Sequence, residues 1–260
     1  MTQNFWIIAS AILGLVVGSF LNVVISRLRT GESFLGGRSH CPKCGKKLEN
    51  RDLIPVISFF FLRGKCRACK ERISWQYPAV ELITALVFGL AASRFSLDSG
   101  FHVAAFVLAL VLCGAYIVIG VYDVKYFLIL DKVIFPGLVI AAIYAAVQGK
   151  FVSGLIGAAC VSGFFLVQYL LSRGKWIGFG DVKFGLLLGM SVGFPAALVL
   201  LFLAYMMGAF VGLSLIAWGK KQMGSILPFG VFLAASAVVS LFYGQQIVHW
   251  YTHLIGLRGY

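Results

Sequence analysis

Nine acidic residues stand in this 260-residue chain, and four of them, Glu81, Asp123, Asp131 and Asp181, fall within or at the ends of long apolar runs. A carboxylate placed at such depth costs ~3 kcal/mol and is a functional candidate by default. Asp123 and Asp181 form a matched pair, each ending an apolar stretch or opening one, and each beginning the tripeptide Asp-Val-Lys (Asp123–Lys125 and Asp181–Lys183). Helical residues two apart point to nearly opposite sides, so each lysine is free to reach lipid head groups while its aspartate faces inward. Gly178-Phe179-Gly180 precedes Asp181, and glycines there permit the close approach of another backbone. Two carboxylates within about 3 Å share one proton, because both cannot ionise side by side. The ionised one acts as base on a water, and the protonated one polarises a peptide carbonyl. The competing reading makes Asp181 the N-cap of the helix that follows it, leaving Asp123 an interfacial acid. No serine, cysteine or histidine constellation competes, since His40 lies among the cysteines and His102, His249 and His253 fall toward the other side.

A second chemistry lies between residues 27 and 76, where Cys41-Pro-Lys-Cys44 and Cys66-Arg-Ala-Cys69 are separated by twenty-one residues. Paired Cys-x-x-Cys knuckles let four thiolates converge on one zinc ion, although the usual spacing is a residue shorter, about 15–20. Two disulfides are the alternative, disfavoured if the segment lies in a reducing compartment. A stretch of about fifty residues buries little core, and a structural metal offsets that shortage. Cys113 and Cys160 stand alone in apolar runs as small buried side chains.

The elements that must position these groups are membrane spans. The chain is 60% hydrophobic and 12% charged, with mean hydropathy +0.95, against roughly 45–50% apolar and a quarter charged in a soluble domain. A water-soluble enzyme is excluded. Apolar runs occur at Phe5–Ser26, Tyr77–Ser93, Phe101–Tyr122, Val133–Val147, Phe151–Leu171, Phe184–Gly193, Ala196–Trp218 and Ser225–Tyr243. Gly193 and Pro195 divide what would otherwise be one overlong span, the first part short. The expectation is an all-α polytopic protein of about eight transmembrane helices, with a small four-cysteine zinc-knuckle domain between helices 1 and 2. Its divisions are 1–26 as the first helix, 27–76 as the zinc-binding domain and 77–260 as the membrane-embedded domain that carries the paired aspartates.

Net charge is +13, and nineteen of the 22 Lys and Arg lie in the alternate loops 27–76, 123–132, 172–183 and 219–224. The positive-inside rule then puts the four-cysteine domain in the cytosol and both termini outside. The basic charge fits anionic lipid head groups better than nucleic acid, for which no aromatic-rich basic helix is present. Glu32, Glu49, Asp52 and Glu71 are expected as solvated partners of that domain's basic residues, and Asp98 falls in a short outer loop.

These residues resemble, over nearly the whole chain, the bacterial type IV prepilin leader peptidases, which are bifunctional leader peptidase/N-methyltransferases. Gly18-Ser-Phe-Leu-Asn-Val-Val-Ile25 resembles the family's first-span signature, and Cys41 to Cys69 its paired knuckles around Arg51-Asp-Leu-Ile-Pro-Val56. Ile73 to Leu82 resembles the approach to its second span, Gly178-Phe-Gly-Asp-Val-Lys183 its Gly-x-Gly-Asp motif, and Leu227-Pro-Phe-Gly230 its last-span signature. The earlier motif usually ends Pro-Asp, where this chain has Leu130-Asp131. The resemblance implies Asp123 and Asp181 as catalytic pair, with Gly178, Gly180 and Lys183 in support. It implies prepilins or pseudopilins as substrates, cut after a glycine at the cytosolic face of the bacterial inner membrane. It also implies S-adenosylmethionine-dependent methylation of the new amino terminus. Glu81 is a candidate contact for that terminus, or else an acid bonded to a neighbouring helix. The rival from another class is a proton- or ion-coupled transporter using the same aspartates, and a third is a zinc scaffold without catalysis. A transporter calls for polar residues through the whole membrane depth, whereas the acids here gather toward one side.

Overall fold

A computed structural model describes residues 3–33, 36–95, 100–220, 222 and 227–256. Asp98, Arg258 and Ser225, the expected start of the last span, lie outside the described residues. In chain order come α1 (Gln3–Thr30), a 3-10 turn (Asn50–Leu53), the short α2 (Ile57–Phe61), α3 (Gln76–Arg94), α4 (Gly100–Tyr126), α5 (Asp131–Val147), α6 (Phe151–Ser172), α7 (Phe179–Val192), α8 (Ala196–Ala217) and α9 (Phe229–Leu254). Among the described residues there is no strand, only two isolated bridges. Six helices among the described residues, α1, α3, α4, α6, α8 and α9, are long and apolar enough to cross a membrane. The expected all-helical, multi-pass architecture is therefore observed. The count of eight is not, since α5 and α7 have only 17 and 14 residues where about 20 are needed.

The chain forms two compact units, residues 1–96 and 97–260. In the first, α1 packs on α3 through glycine: a Cβ at Gly14 would stand 2.6 Å from the Ala85 Cα, and one at Gly18 2.7 Å from the Glu81 Cα. Small residues four apart let two membrane helices meet backbone to backbone. At the end of α1 the buried Arg27 guanidinium donates to the carbonyls of Ser33, Gly36 and Arg38, gathering the chain toward the cysteines.

In the second unit, α6 and α7 make the corresponding seam. A Cβ at Gly154 would lie 2.8 Å from the Met190 carbonyl oxygen, and Gly157 and Gly189 abut each other's backbone. α7 ends at Gly193 (φ +74), and Pro195 N-caps α8, so the division expected there is where the chain turns. α4 packs on α5 and α9, and α5 and α9 pack on α7. The helices carrying Asp123 and Asp181 are thus joined through two intermediaries and directly, by the Tyr116 hydroxyl donating to Ser191. α9 runs to Leu254, well past the Tyr243 expected from hydropathy, because its last turns carry Gln245, Gln246, His249 and His253, which hydropathy does not count.

Candidate active site and metal centre

Asp123 lies in the last turn of α4 and is 5% exposed. Its Oδ2 accepts the Gly230 backbone N–H at 2.7 Å, and the Val231 N–H also reaches it. These are the first-turn donors of α9, left without intrahelical partners and carrying the positive end of the helix dipole. A side chain of α4 therefore serves as the cap of α9. Gly230 is a glycine for a steric reason: a Cβ there would sit 2.9 Å from Asp123 Oδ2.

Asp181 is the third residue of α7 and is 8% exposed. Gly178, not Asp181, occupies the cap position, and Asp181 Oδ2 accepts the Gly178 N–H at 3.1 Å, the returning half of a capping box whose other half a glycine cannot make. The capping reading and the functional one are thus compatible, since Oδ1 is left buried and without a partner among the described residues. The helix begins at Phe179, five residues before the apolar run at Phe184, so the whole Gly-Asp motif belongs to its first turn. Asp181 feels the charge of Asp123, so the two acids paired on sequence grounds share one neighbourhood.

Asp131 stands apart from them at the start of α5, where it binds Lys183 Nζ through both oxygens at 2.7 and 2.9 Å. Lys183 is thereby turned to a carboxylate rather than to the lipid head groups expected for it. The ion pair ties the 127–130 connection to α7, and the same connection explains Gly180, whose added Cβ would meet Ile129 at 3.0 Å. Gly178 has no such crowding.

In the first unit, the Sγ atoms of Cys41, Cys44, Cys66 and Cys69 all lie within 4.8 Å of one another, and Cys41 and Cys69 are 3.9 Å apart. Four sulfurs at ~2.3 Å from one zinc ion would be separated by roughly 3.8 Å, and a disulfide needs ~2.0 Å. All four are free thiols. The two knuckles repeat one geometry. Cys41 and Cys66 N–H groups bond the Lys46 and Glu71 carbonyls, and Gly45 and Lys70 N–H groups return to the Cys41 and Cys66 carbonyls. Gly45 and Lys70 both adopt positive φ, +68 and +61. The backbone N–H groups of Cys69 and Ala68 pull the Cys66 thiol down to about 7. For Cys69 the Glu71 N–H acts downward, but lost solvation and the three neighbouring sulfurs outweigh it and push it up to about 11. Sulfurs this close resist ionising together unless a cation sits among them, so the donor set fits zinc.

Glu81, 6% exposed on α3, accepts the Val56 N–H at 2.7 Å. Val56 has φ 61 and ψ −51, with the Ile57 N–H closing on the Pro55 carbonyl at 2.5 Å, a γ-turn rarely tolerated by a β-branched residue. Nearby, Asn22 donates to the Tyr77 carbonyl and accepts from Gln76. Asp52 is bound by Arg67 at 2.8 and 2.9 Å. Burial pushes its carboxyl up, but the Arg67 hydrogen bonds and charge and the Glu49 N–H hold it below the usual carboxylate range. Gly230 closes the Leu227-Pro-Phe-Gly230 signature, whose resemblance alone implies no role for it. Gln168 and Tyr205, whose side chains join α6 to α8 at 2.8 Å, carried no sequence signal beyond being polar in apolar spans.

Two family models match the chain. The bacterial peptidase A24 N-terminal domain covers residues 12–95, and the type IV leader peptidase family covers 110–213. Among curated proteins, a prepilin leader peptidase/N-methyltransferase of Bacillus subtilis is 31% identical, over 92% of this chain and 95% of that one. Enzymes of the same name from Pseudomonas putida and Pseudomonas aeruginosa are 30% and 28% identical, over 98% and 97% of this chain and 97% and 96% of theirs. No solved structure matches.

Proposed function

Since the chain belongs to the prepilin leader peptidase/N-methyltransferase family, we propose that it removes the short basic leader of type IV prepilins or pseudopilins with Asp123 and Asp181. The enzyme class is that of the family, an aspartic peptidase that is also a methyltransferase. The single observation that carries the assignment is the arrangement of the two acids. Each is buried, each has an oxygen held by a backbone N–H, and Asp181 lies within electrostatic reach of Asp123.

In this reading one proton is shared between the carboxylates. The ionised member takes a proton from a water, whose oxygen attacks the scissile carbonyl, while the protonated member donates to the carbonyl oxygen. Collapse breaks the C–N bond, and the departing nitrogen takes up a proton from the dyad. The backbone donors of α9 and of Gly178 fix the carboxylates beforehand, so no reorganisation is needed at the moment of reaction. The transporter reading draws no support from the comparisons.

The four cysteines would hold a structural zinc that staples residues 41–72 into shape, with no part in the cleavage step. The methyl donor, S-adenosylmethionine, enters through the family name. Glu81, occupied by the Val56 N–H, fits a tie that holds a strained turn better than a free contact for the new amino terminus. We further place the enzyme in the bacterial inner membrane with eight crossings, α5 and α7 completing theirs inside the bundle. The basic loops put the cysteine domain in the cytosol and both termini outside.

The test is Asp123→Asn and Asp181→Asn in purified enzyme, with the mass of a co-expressed prepilin as readout. Both variants are expected to leave the leader uncut, and near wild-type cleavage by either one would refute the dyad. The same spectrum reports the methyl group on wild-type product.

A further inference from the structure

Three buried side-chain atoms lack a hydrogen-bond partner among the described residues: Asp181 Oδ1, Gln168 Nε2 and Ser240 Oγ. The first two are an acceptor and a donor, and the packing of α6 on α7 brings them to one level. The helices run antiparallel, with Gly157 against Gly189, Gly185 against Ser162 and Phe165, and the Tyr169 and Phe179 rings 5.4 Å apart. Continued along the seam, this register sets Gln168 beside the first turn of α7, which carries Asp181. Gln168 is the only amide side chain in α6.

Its orientation is fixed from a third helix. Tyr205 of α8 donates its hydroxyl to Gln168 Oε1 at 2.8 Å. The Tyr205 ring is braced by Phe164 at 5.7 Å and Phe229 at 5.1 Å. Phe229 immediately precedes Gly230, whose N–H holds Asp123, and Tyr205 itself lies within electrostatic reach of Asp181. With Oε1 engaged, the amide N–H groups are what Gln168 has left to offer. A buried donor and a buried acceptor, both unmet, cost stability separately, and one water with two polar partners satisfies both.

We propose that Gln168, aimed by Tyr205, is a positioning residue for the peptide-cleaving site, its amide N–H donating through one bridging water to Oδ1 of Asp181. The proposal rests on the reading of Asp123 and Asp181 as the catalytic pair. Gln168 acts on the dyad and makes no contact with substrate, so it governs turnover and leaves binding alone.

The experiment uses the full chain in nanodiscs and a synthetic prepilin peptide, comparing wild type with Gln168→Met, Tyr205→Phe and the double variant. Methyl transfer to an already cleaved pilin peptide monitors folding. Gln168→Met is expected to lower kcat about 10- to 100-fold, the scale of a misplaced catalytic group, with KM within about twofold. Tyr205→Phe is expected to lower kcat by less. The double variant should be no worse than Gln168→Met, because residues acting as one unit are not additive. An unchanged kcat for Gln168→Met, a rise confined to KM, or strictly additive losses would each overturn the proposal. Should Gln168→Met fail to fold, Tyr205→Phe decides alone, and wild-type kcat in it overturns the inference. Asp181→Asn is assayed alongside. Its activity would refute the dyad itself, whereas an inactive Asp181→Asn with a fully active Gln168→Met refutes only the role of Gln168.

Discussion

Replacing Gly230 by alanine separates the chemistry of the site from its stability, because the two should move in opposite directions. The backbone at Gly230 is ordinary helix with no positive φ, so alanine fits the conformation and raises helix propensity, by up to ~1 kcal/mol in an unhindered helix interior. The added methyl, however, would stand 2.9 Å from Asp123 Oδ2, 3.1 Å from its Cγ and 3.3 Å from its Cβ. Restoring ordinary contact near 3.4 Å requires the carboxylate to retreat by roughly half an ångström or to turn away from the N–H that holds it. A misplacement of 1 Å at a reacting group costs about 100-fold in rate. Half that distance, on a roughly exponential scale, gives about 10-fold. The assay is steady-state cleavage of a prepilin peptide by purified Gly230→Ala, beside its thermal midpoint in detergent. The expected result is kcat down about 10-fold with a midpoint no lower than wild type. Wild-type kcat in this variant would refute the claim that the start of α9 fixes Asp123.

Changing Cys41 and Cys69 to serine removes two of four sulfur ligands and should reduce bound zinc, measured by elemental analysis, from about one per chain to near zero. Retained metal would refute the four-sulfur site. The Asp52–Arg67 pair stabilises the cysteine domain only while Asp52 is ionised. Because its native carboxyl lies below its unfolded value, that contribution is complete above the unfolded range and is lost as pH falls through the native value. The difference in thermal midpoint between wild type and Asp52→Asn should therefore be largest near pH 7 and shrink as the medium is acidified, and a difference that did not shrink at all would contradict the pair. Gly189→Leu forces a side chain into the Gly157 backbone and should destabilise the second unit by ~3 kcal/mol or more, read as a fall in thermal midpoint. Lys183→Met removes a half-exposed ion pair worth under ~1 kcal/mol. It should leave the midpoint near wild type, and a large fall would show the pair to be structural.

Much of the site was legible because carboxylates are costly in apolar sequence. Only nine acids had to be placed, and Asp123 and Asp181 stood out by depth and by their shared tripeptide. The cysteine cluster was legible for a similar reason, since two knuckles repeat a spacing that little else demands. Hydropathy located α1 and α3 to α9 but could not mark ends made by polar residues, so α9 runs on past Tyr243 and α7 starts before Phe184. The tie between Asp123 and α9 was invisible, because its donors are backbone groups 107 residues away and nothing in Pro228-Phe229-Gly230 says which acid they meet. The Lys183–Asp131 pair was missed because a lysine at a span end is satisfied equally by lipid or by protein. The glycine seams were present as Gly14–Gly18 and Gly185–Gly189 spacings, but spacing alone does not name the facing helix.

The α6–α7 seam also decides which of the two buried acids stands on the stiffer support. Backbones in direct apposition leave no side chains to slide over one another, so the hairpin behaves as a single stiff piece with Asp181 fastened to it. Asp123 belongs to a helix that reaches α7 through side chains, the Tyr116 hydroxyl donating to Ser191 and the Tyr116 ring lying against Phe184, and through α5 and α9. Asp181 therefore rides on helices joined backbone to backbone, while Asp123 is held to them by side chains and by the start of α9.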